Sequence, residues 1–169
     1  MYYSIPWMDL SISQQRDILH KMVQSFEKPW HDDIPQRFFR PSCRIELDVQ
    51  SGVWQAASIS WKYPSFRYLD KFFVHPDHRH RKGVGREWLA EWIHHTSPTT
   101  TWVWRTNPSL ATGFYGKNPA VVTHGISGDY VYQGVNRIQW EAEDIEPLLR
   151  LTSCFHRTGN KQRQEPKPY

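Results

Sequence analysis

A chain of 169 residues with 38% hydrophobic and 15% aromatic content has enough apolar side chains for one folded core, which excludes an intrinsically disordered polymer. A net charge of +4 suits an anionic ligand, either a phosphorylated cofactor or nucleic acid. No stretch is apolar enough to span a bilayer, Met1 to Ser11 lacks the basic start and apolar run of a signal peptide, and Cys43 and Cys154 are too few for a disulfide scaffold, so a reduced, cytoplasmic setting is expected.

In chain order, Ser11-x-x-Gln14 has the form of a capping box, and Ile18, Leu19, Met22, Val23 and Phe26 then recur on one helical face. Pro29, Pro35 and Pro41 punctuate the next stretch, so residues from Trp30 to Pro41 are expected to form loop or short helix, with His31, Asp32 and Asp33 in a turn. Arg44 to Val49 and Val53 to Trp61 flank Ser51-Gly52 and predict a hairpin. Pro64 and Ser65 mark the next turn, and Leu69 to Val74 the next strand. A helix is predicted from Gly85 to His95 and a strand from Thr100 to Arg105. Val121 to Ile126 and Tyr130 to Val135, separated by Ser127-Gly128-Asp129, predict a second hairpin. Glu141 to Leu151 has helical character with a bend at Pro147, and Arg157 to Tyr169 reads as a basic, disordered tail after a single domain over residues 1–156.

The densest chemistry lies between Tyr68 and Leu89. Leu69, Phe72, Phe73 and Val74 favour a buried strand, while Trp88, Leu89, Trp92 and Ile93 recur at helical spacing. Gly83-Val84-Gly85 joins the two. A strand entering a helix through such a turn leaves backbone N–H groups unpaired at the positive end of the helix, and glycines let an anion approach. Arg79, Arg81, Lys82 and Arg86 crowd the same turn, which reads as a pyrophosphate cradle in preference to a merely solvated face. The dinucleotide fingerprint is incomplete and Gly-Lys-Ser/Thr is absent, so neither a Rossmann nor a Walker site is expected. His75, His78 and His80 cluster before the turn, and the alternating spacing of His78 and His80 would let those two share a metal, but no third ligand with familiar spacing accompanies that pair, and no metal is expected.

At these residues the chain resembles the GNAT superfamily of acetyl-CoA-dependent N-acyltransferases: a strand ending in Val74-His75-Pro76, then arginines, Gly-x-Gly and a helix. The resemblance implies an α/β GNAT fold, with a mixed central sheet splayed between two parallel strands and flanked by helices. It also implies acetyl-CoA as cosubstrate. Backbone from Arg81 through Lys82, Gly83, Val84 and Gly85 to Arg86, with Arg79 nearby, would hold the CoA pyrophosphate, and Phe73 and Val74 would pair with the pantetheine arm. His80 stands where the family has Arg or Gln, and the interval from Pro76 to Gly83 is one residue longer than the common pattern.

A second patch, WVWRTNPSLATGFYGKNP from Trp102, is similar to the later GNAT motif, in which a tyrosine reaches the sulfur of CoA. By that resemblance Tyr115 protonates the departing thiolate, with Lys117 beside the cofactor. Together, YLDKF and WRTNP…FY resemble the acetyltransferase domain of vertebrate-type N-acetylglutamate synthases and synthase-kinases, over roughly Phe38 to His156. This implies that Lys71, Arg105 and Asn107 hold the carboxylates of an amino-acid acceptor such as glutamate, and it makes Asp70 the nearest candidate for a general base, with a water relay as the alternative. Arg105 stands alone where that family has two arginines. The expected partner is a small amine; no membrane or nucleic-acid partner is expected, and a homodimer is compatible. The competing readings are an acetyltransferase for protein amines or polyamines, and a nucleic-acid binder using Arg79 to Lys82.

Overall fold

In the computed structural model, the described residues are 1–26, 34–63, 66–79, 81–96, 102–127 and 129–135. They fall into two compact units, Met1–Lys62 with Leu69–Thr96, and Tyr63–Tyr68 with the described residues from 102 onward.

The first unit begins with β1 (Tyr2–Pro6), a short 3₁₀ turn at Trp7–Asp9, and helix α1 (Ile12–Phe26). The predicted capping box closes α1: the Gln14 N–H donates to Ser11 Oγ at 3.2 Å, and the Ser11 N–H to Gln14 Oε1 at 2.8 Å. The inward face of α1 carries buried Ile18, Leu19 and Met22. Buried Gln15 donates through Nε2 to the carbonyls of Trp7 and Leu10, at 3.1 and 3.3 Å, so the entry to the helix is tied down by a side chain that needs those partners.

Strands β2 (Arg44–Gln50) and β3 (Val53–Lys62) form the predicted antiparallel hairpin, paired from Arg44↔Ser60 to Gln50↔Val53 with a register shift between Asp48 and Val49. Ser51 and Gly52 both have positive φ, 52° and 78°, the handedness that matches a two-residue turn to strand twist. β1 adds antiparallel to β2, from Tyr2↔Asp48 to Pro6↔Arg44. β4 (Arg67–Val74), which starts in the other unit, follows β3 in the order β1-β2-β3-β4. It begins two residues before the predicted Leu69. Helix α2 (Val84–Thr96) brings Trp88, Leu89 and Trp92 into the core, and Tyr2 stacks on His95 at 4.2 Å and tilts against Trp88. Phe38, in a 3₁₀ turn at Gln36–Phe39, packs edge-on against Trp7 at 5.0 Å between centroids, and Ile45, Ile59 and Trp61 are likewise buried. Cys43 is buried and forms no disulfide among the described residues.

The second unit holds β5 (Trp102–Thr106), α3 (Pro108–Gly113), a 3₁₀ turn at Tyr115–Lys117, β6 (Val122–Ser127) and β7 (Tyr130–Gly134). Its strand order is β5-β7-β6, both pairs antiparallel, so the second predicted hairpin is present as β6–β7. β5 includes Thr106, one residue beyond its predicted end. Val103, Ala111, Tyr115, Val131 and Tyr132 are buried. Tyr63 and Phe66 also belong here, their rings stacked at 4.8 Å and the Tyr63 N–H donating to the Phe66 carbonyl at 2.8 Å.

The first strand and the 3₁₀ turns at Trp7–Asp9, Pro76–His78 and Tyr115–Lys117 are additions to the predicted elements, whereas the one at Gln36–Phe39 falls in the stretch expected to be loop or short helix. The turn at Pro64-Ser65, the helix at Glu141 to Leu151 and the tail lie outside the described residues, as do His31, Asp32, Asp33, His80 and Cys154. Among the described residues no helix is long and apolar enough to cross a membrane.

Candidate active site

The turn from β4 to α2 is built as the glycines require. Gly83 has φ +92°, a conformation that side-chain-bearing residues rarely adopt, and its carbonyl accepts the Glu87 N–H at 2.8 Å. That bond opens the helix, so the N–H groups of Val84, Gly85 and Arg86 have no helical carbonyl to meet. Such a row of N–H groups at the positive end of a 13-residue helix favours an anion. Arg79, Arg81, Lys82 and Arg86 are all exposed around it. Two are tethered: Arg79 Nε donates to the Val74 carbonyl at 3.4 Å, and Arg81 Nη1 to Gln55 Oε1 at 3.5 Å. Gln55 is buried on β3, and its carbonyl also accepts the His75 N–H at 2.7 Å, so it steadies both ends of the turn.

Upstream, Phe73 is buried and Val74 half-buried, with Trp54 edge-on to Phe73 at 5.7 Å. His75 is buried, caps the 3₁₀ turn at Pro76–His78, and accepts the Asp77 N–H at Nδ1 from 3.2 Å. Burial pulls its pKa down, and the accepted bond places the proton of the neutral ring on Nε2. Among the described residues no three His, Cys, Asp or Glu side chains gather as metal ligands.

On β4, Asp70 Oδ2 receives Lys71 Nζ at 3.2 Å and Arg37 Nε at 3.1 Å. Burial alone would push the Asp70 carboxyl up, but the charges of Lys71 and Arg37 and their hydrogen bonds outweigh it and leave the group below its ordinary value. A carboxylate bound this way is a weak proton acceptor. The sequence made Asp70 the nearest candidate for a general base; here it is the shared counter-ion of two cations. Arg37 was missed by the sequence reading, since a residue 33 positions before Asp70 leaves no local spacing signal.

The second unit carries the tyrosine motif. Asn107 caps α3, its Oδ1 accepting the Leu110 N–H at 2.9 Å, and Pro108 occupies the first helical position. Tyr115 is buried beside Phe114, whose ring lies edge-on at 4.9 Å, and burial raises the phenol pKa well above its ordinary value, keeping the proton in place. Lys117 ends the same 3₁₀ turn and is exposed. The Arg105 guanidinium stands over the Tyr130 ring, 4.5 Å from its centroid. Within this unit the expected residues Arg105, Asn107, Tyr115 and Lys117 follow one another along β5, α3 and the 3₁₀ turn, while Lys71 and Asp70 pair in the other.

No protein-family model matches the sequence, and no curated protein matches it. Solved structures do match. A GNAT-family structure from Bacteroides thetaiotaomicron aligns with a TM-score of 0.67 at 14% identity, over 95% of this chain and 99% of its own. The ribosomal-protein-S18-alanine N-acetyltransferase from Escherichia coli aligns with a TM-score of 0.63 at 15% identity, over 83% and 100%. A PaiA N-acetyltransferase from Thermoplasma acidophilum, solved in complex with coenzyme A, aligns with a TM-score of 0.54 at 12% identity, over 79% and 98%. The chain therefore has the α/β GNAT acyl-CoA N-acyltransferase fold.

Proposed function

We propose that this protein is an acetyl-CoA-dependent N-acetyltransferase whose acceptor is a small carboxylated amino acid, with glutamate as the leading candidate. The observation that carries the proposal is the start of α2: left-handed Gly83, the N–H groups of Val84, Gly85 and Arg86 without helical partners, and four cations around them, in a GNAT fold. This arrangement fits a pyrophosphate. Acetyl-CoA supplies an activated acyl group as a thioester.

Catalysis is then mainly placement. The backbone from Arg81 to Arg86, with Arg79 and Lys117, takes the anionic cofactor, and the β4 end at Phe73 and Val74 takes its pantetheine arm. Tyr115, kept protonated by burial, gives its proton to sulfur as the C–S bond breaks. The acceptor nitrogen bonds to the acetyl carbon as the C–S bond breaks, and the phenolate, disfavoured by burial, takes a proton back from water, balancing the one that the amine releases. Lys71, Arg105 and Asn107 hold the acceptor's carboxylates. For Asn107 the side-chain amide N–H₂ is the donating end, because its oxygen caps α3. The amine proton goes to water, since Asp70 is too weakly basic to take it efficiently.

The test is release of the CoA thiol from acetyl-CoA across a panel of amino acids, polyamines and lysine peptides. Glutamate or aspartate should give the highest kcat/KM. A panel led by spermidine or by lysine ε-amines would move the acceptor to polyamines or protein amines, and no release with any amine would remove the enzymatic reading.

A further inference from the structure

Lys71 presents a flexible four-carbon stem, and an ammonium on such a stem recognises a carboxylate well only if something fixes its position. In this protein that something is shared. One oxygen, Asp70 Oδ2, receives both Lys71 Nζ and Arg37 Nε, at 3.2 and 3.1 Å, with the three side chains only 15%, 21% and 12% exposed for Lys71, Arg37 and Asp70. Arg37 is in turn anchored to the core. It belongs to the Gln36–Phe39 turn, its guanidinium lies 5.5 Å from the ring of Phe38, and Phe38 is fully buried edge-on against Trp7. A continuous set of contacts therefore runs from the core through Phe38, Arg37 and Asp70 to the Lys71 ammonium.

We propose that Arg37 is a positioning residue for acceptor recognition: acting through Asp70, it holds the Lys71 ammonium in place and keeps it from closing onto Asp70 as a simple ion pair. This rests on the reading of Lys71 as a carboxylate-binding residue. Two cations draw on one carboxylate oxygen, Arg37 Nε at 3.1 Å and Lys71 Nζ at 3.2 Å. Without Arg37, no guanidinium would share the Asp70 oxygen with Lys71 Nζ, and an incoming carboxylate would compete with a stronger Asp70 contact for the ammonium.

The experiment is steady-state thiol release with acetyl-CoA and glutamate for wild type, Lys71→Met, Arg37→Met, Arg37→Lys, Asp70→Asn and the Arg37→Met/Asp70→Asn double variant, each checked by thermal melting. Arg37→Met should raise the glutamate KM about tenfold, the scale of one charge-assisted hydrogen bond, with kcat and the acetyl-CoA KM within about twofold of wild type. Arg37→Lys should keep most of the affinity. In the Asp70→Asn background, Arg37→Met should add nothing, because its route to Lys71 is already gone.

Wild-type glutamate KM in Arg37→Met, alongside a raised KM in Lys71→Met, would overturn the inference and leave the acceptor reading standing. Full additivity in the double variant would also overturn it, since Arg37 would then act independently of Asp70. An unchanged KM in Lys71→Met would remove the acceptor reading and the inference with it. If Arg37→Met fails to fold, Arg37→Gln, which keeps a donor and loses the charge, carries the same comparison.

Discussion

A side chain at position 116 would have to share space with the carbonyl oxygen of Ala111: a Cβ built on Gly116 stands 2.5 Å from it, closer than Cβ atoms approach. The carbonyl is not free to withdraw, because it accepts Gln133 Nε2 at 3.3 Å and so joins α3 to β7. Gly116 therefore fixes the turn that carries Tyr115. Gly116→Ala should destabilise the protein by about 1–3 kcal/mol, the usual range for overpacking, and lower thiol release with it. Gly113→Ala is the control, since a Cβ there meets nothing within 4 Å. Equal urea midpoints for the two variants would refute the steric account.

The cradle makes a separate prediction. Saturating CoA at about a hundred times its dissociation constant should stabilise the fold by about 2.7 kcal/mol. Gly83→Val/Gly85→Val should abolish that stabilisation, because β-branched side chains strain the left-handed position and stand over the N–H groups. Gly83→Asn, which tolerates positive φ better, should retain part of it. Thermal-shift titration separates these outcomes, and an undiminished CoA effect in the double Val variant would exclude the helix start as the pyrophosphate site.

Much of this arrangement was legible in the sequence, and the remainder was hidden for physical reasons. The capping box at Ser11 and Gln14, the hairpin around Ser51-Gly52, helix α2 and the β6–β7 hairpin are set by local chemistry, so reading neighbours is enough. β1 is different. YYSIP has no strong pattern of its own, and it becomes a strand because β2 offers an edge for it to pair with. Arg37 likewise has no local signature; only the fold brings it to Asp70. The glycines show the same division, since Gly83 announced itself beside arginines, whereas the need for Gly116 arises from a carbonyl five residues away in α3.

Tyr115→Phe removes one proton and almost no volume. If the phenol protonates sulfur, kcat should fall by about 10²-fold or more, in the range of general acid catalysis, while CoA affinity changes little. Burial keeps the wild-type phenol protonated into the alkaline range, so kcat should show no alkaline decline from Tyr115 itself near its ordinary pKa of 10. Pre-steady-state kinetics should confirm that chemistry limits the rate. Wild-type turnover in Tyr115→Phe under that condition would exclude the acid role.

Stability should fall with acid in two steps. His75 has a folded pKa below its ordinary 6.5, so the unfolded chain binds its proton first and stability declines as the pH drops from about 6.5 towards the folded value. Asp70 also titrates below its ordinary 3.8, so its contribution is present above that pH and is lost as the pH falls through the lower folded value. His75→Asn, which can still accept the Asp77 N–H, should remove the first step and leave the second. Asp70→Asn should remove the second and cost about 3–5 kcal/mol at neutral pH, because Arg37 and Lys71 lose a buried partner. Urea unfolding from pH 8 down to about pH 2 separates the two steps, and identical pH profiles for wild type and His75→Asn would show that His75 does not control the first.

The acceptor assignment is tested by its cations. If Lys71 and Arg105 each meet a carboxylate, Lys71→Met and Arg105→Met should each weaken glutamate by about 1.5–3 kcal/mol in KM, roughly tenfold or more, with little change in CoA binding. The two should differ in stability. Arg105→Met also removes a guanidinium from above the Tyr130 ring, a contact worth about 0.5–2 kcal/mol, so its melting temperature should fall as well. Arg105→Lys keeps the charge but loses the planar fork that matches a carboxylate, and it should recover only part of the affinity. Alanine as acceptor provides the discriminating control, because it lacks the second carboxylate. One of the two cations should then become nearly irrelevant to KM while the other keeps its effect. If both substitutions weaken alanine and glutamate equally, neither residue reads the side-chain carboxylate, and the selectivity for a dicarboxylic acceptor has to be abandoned.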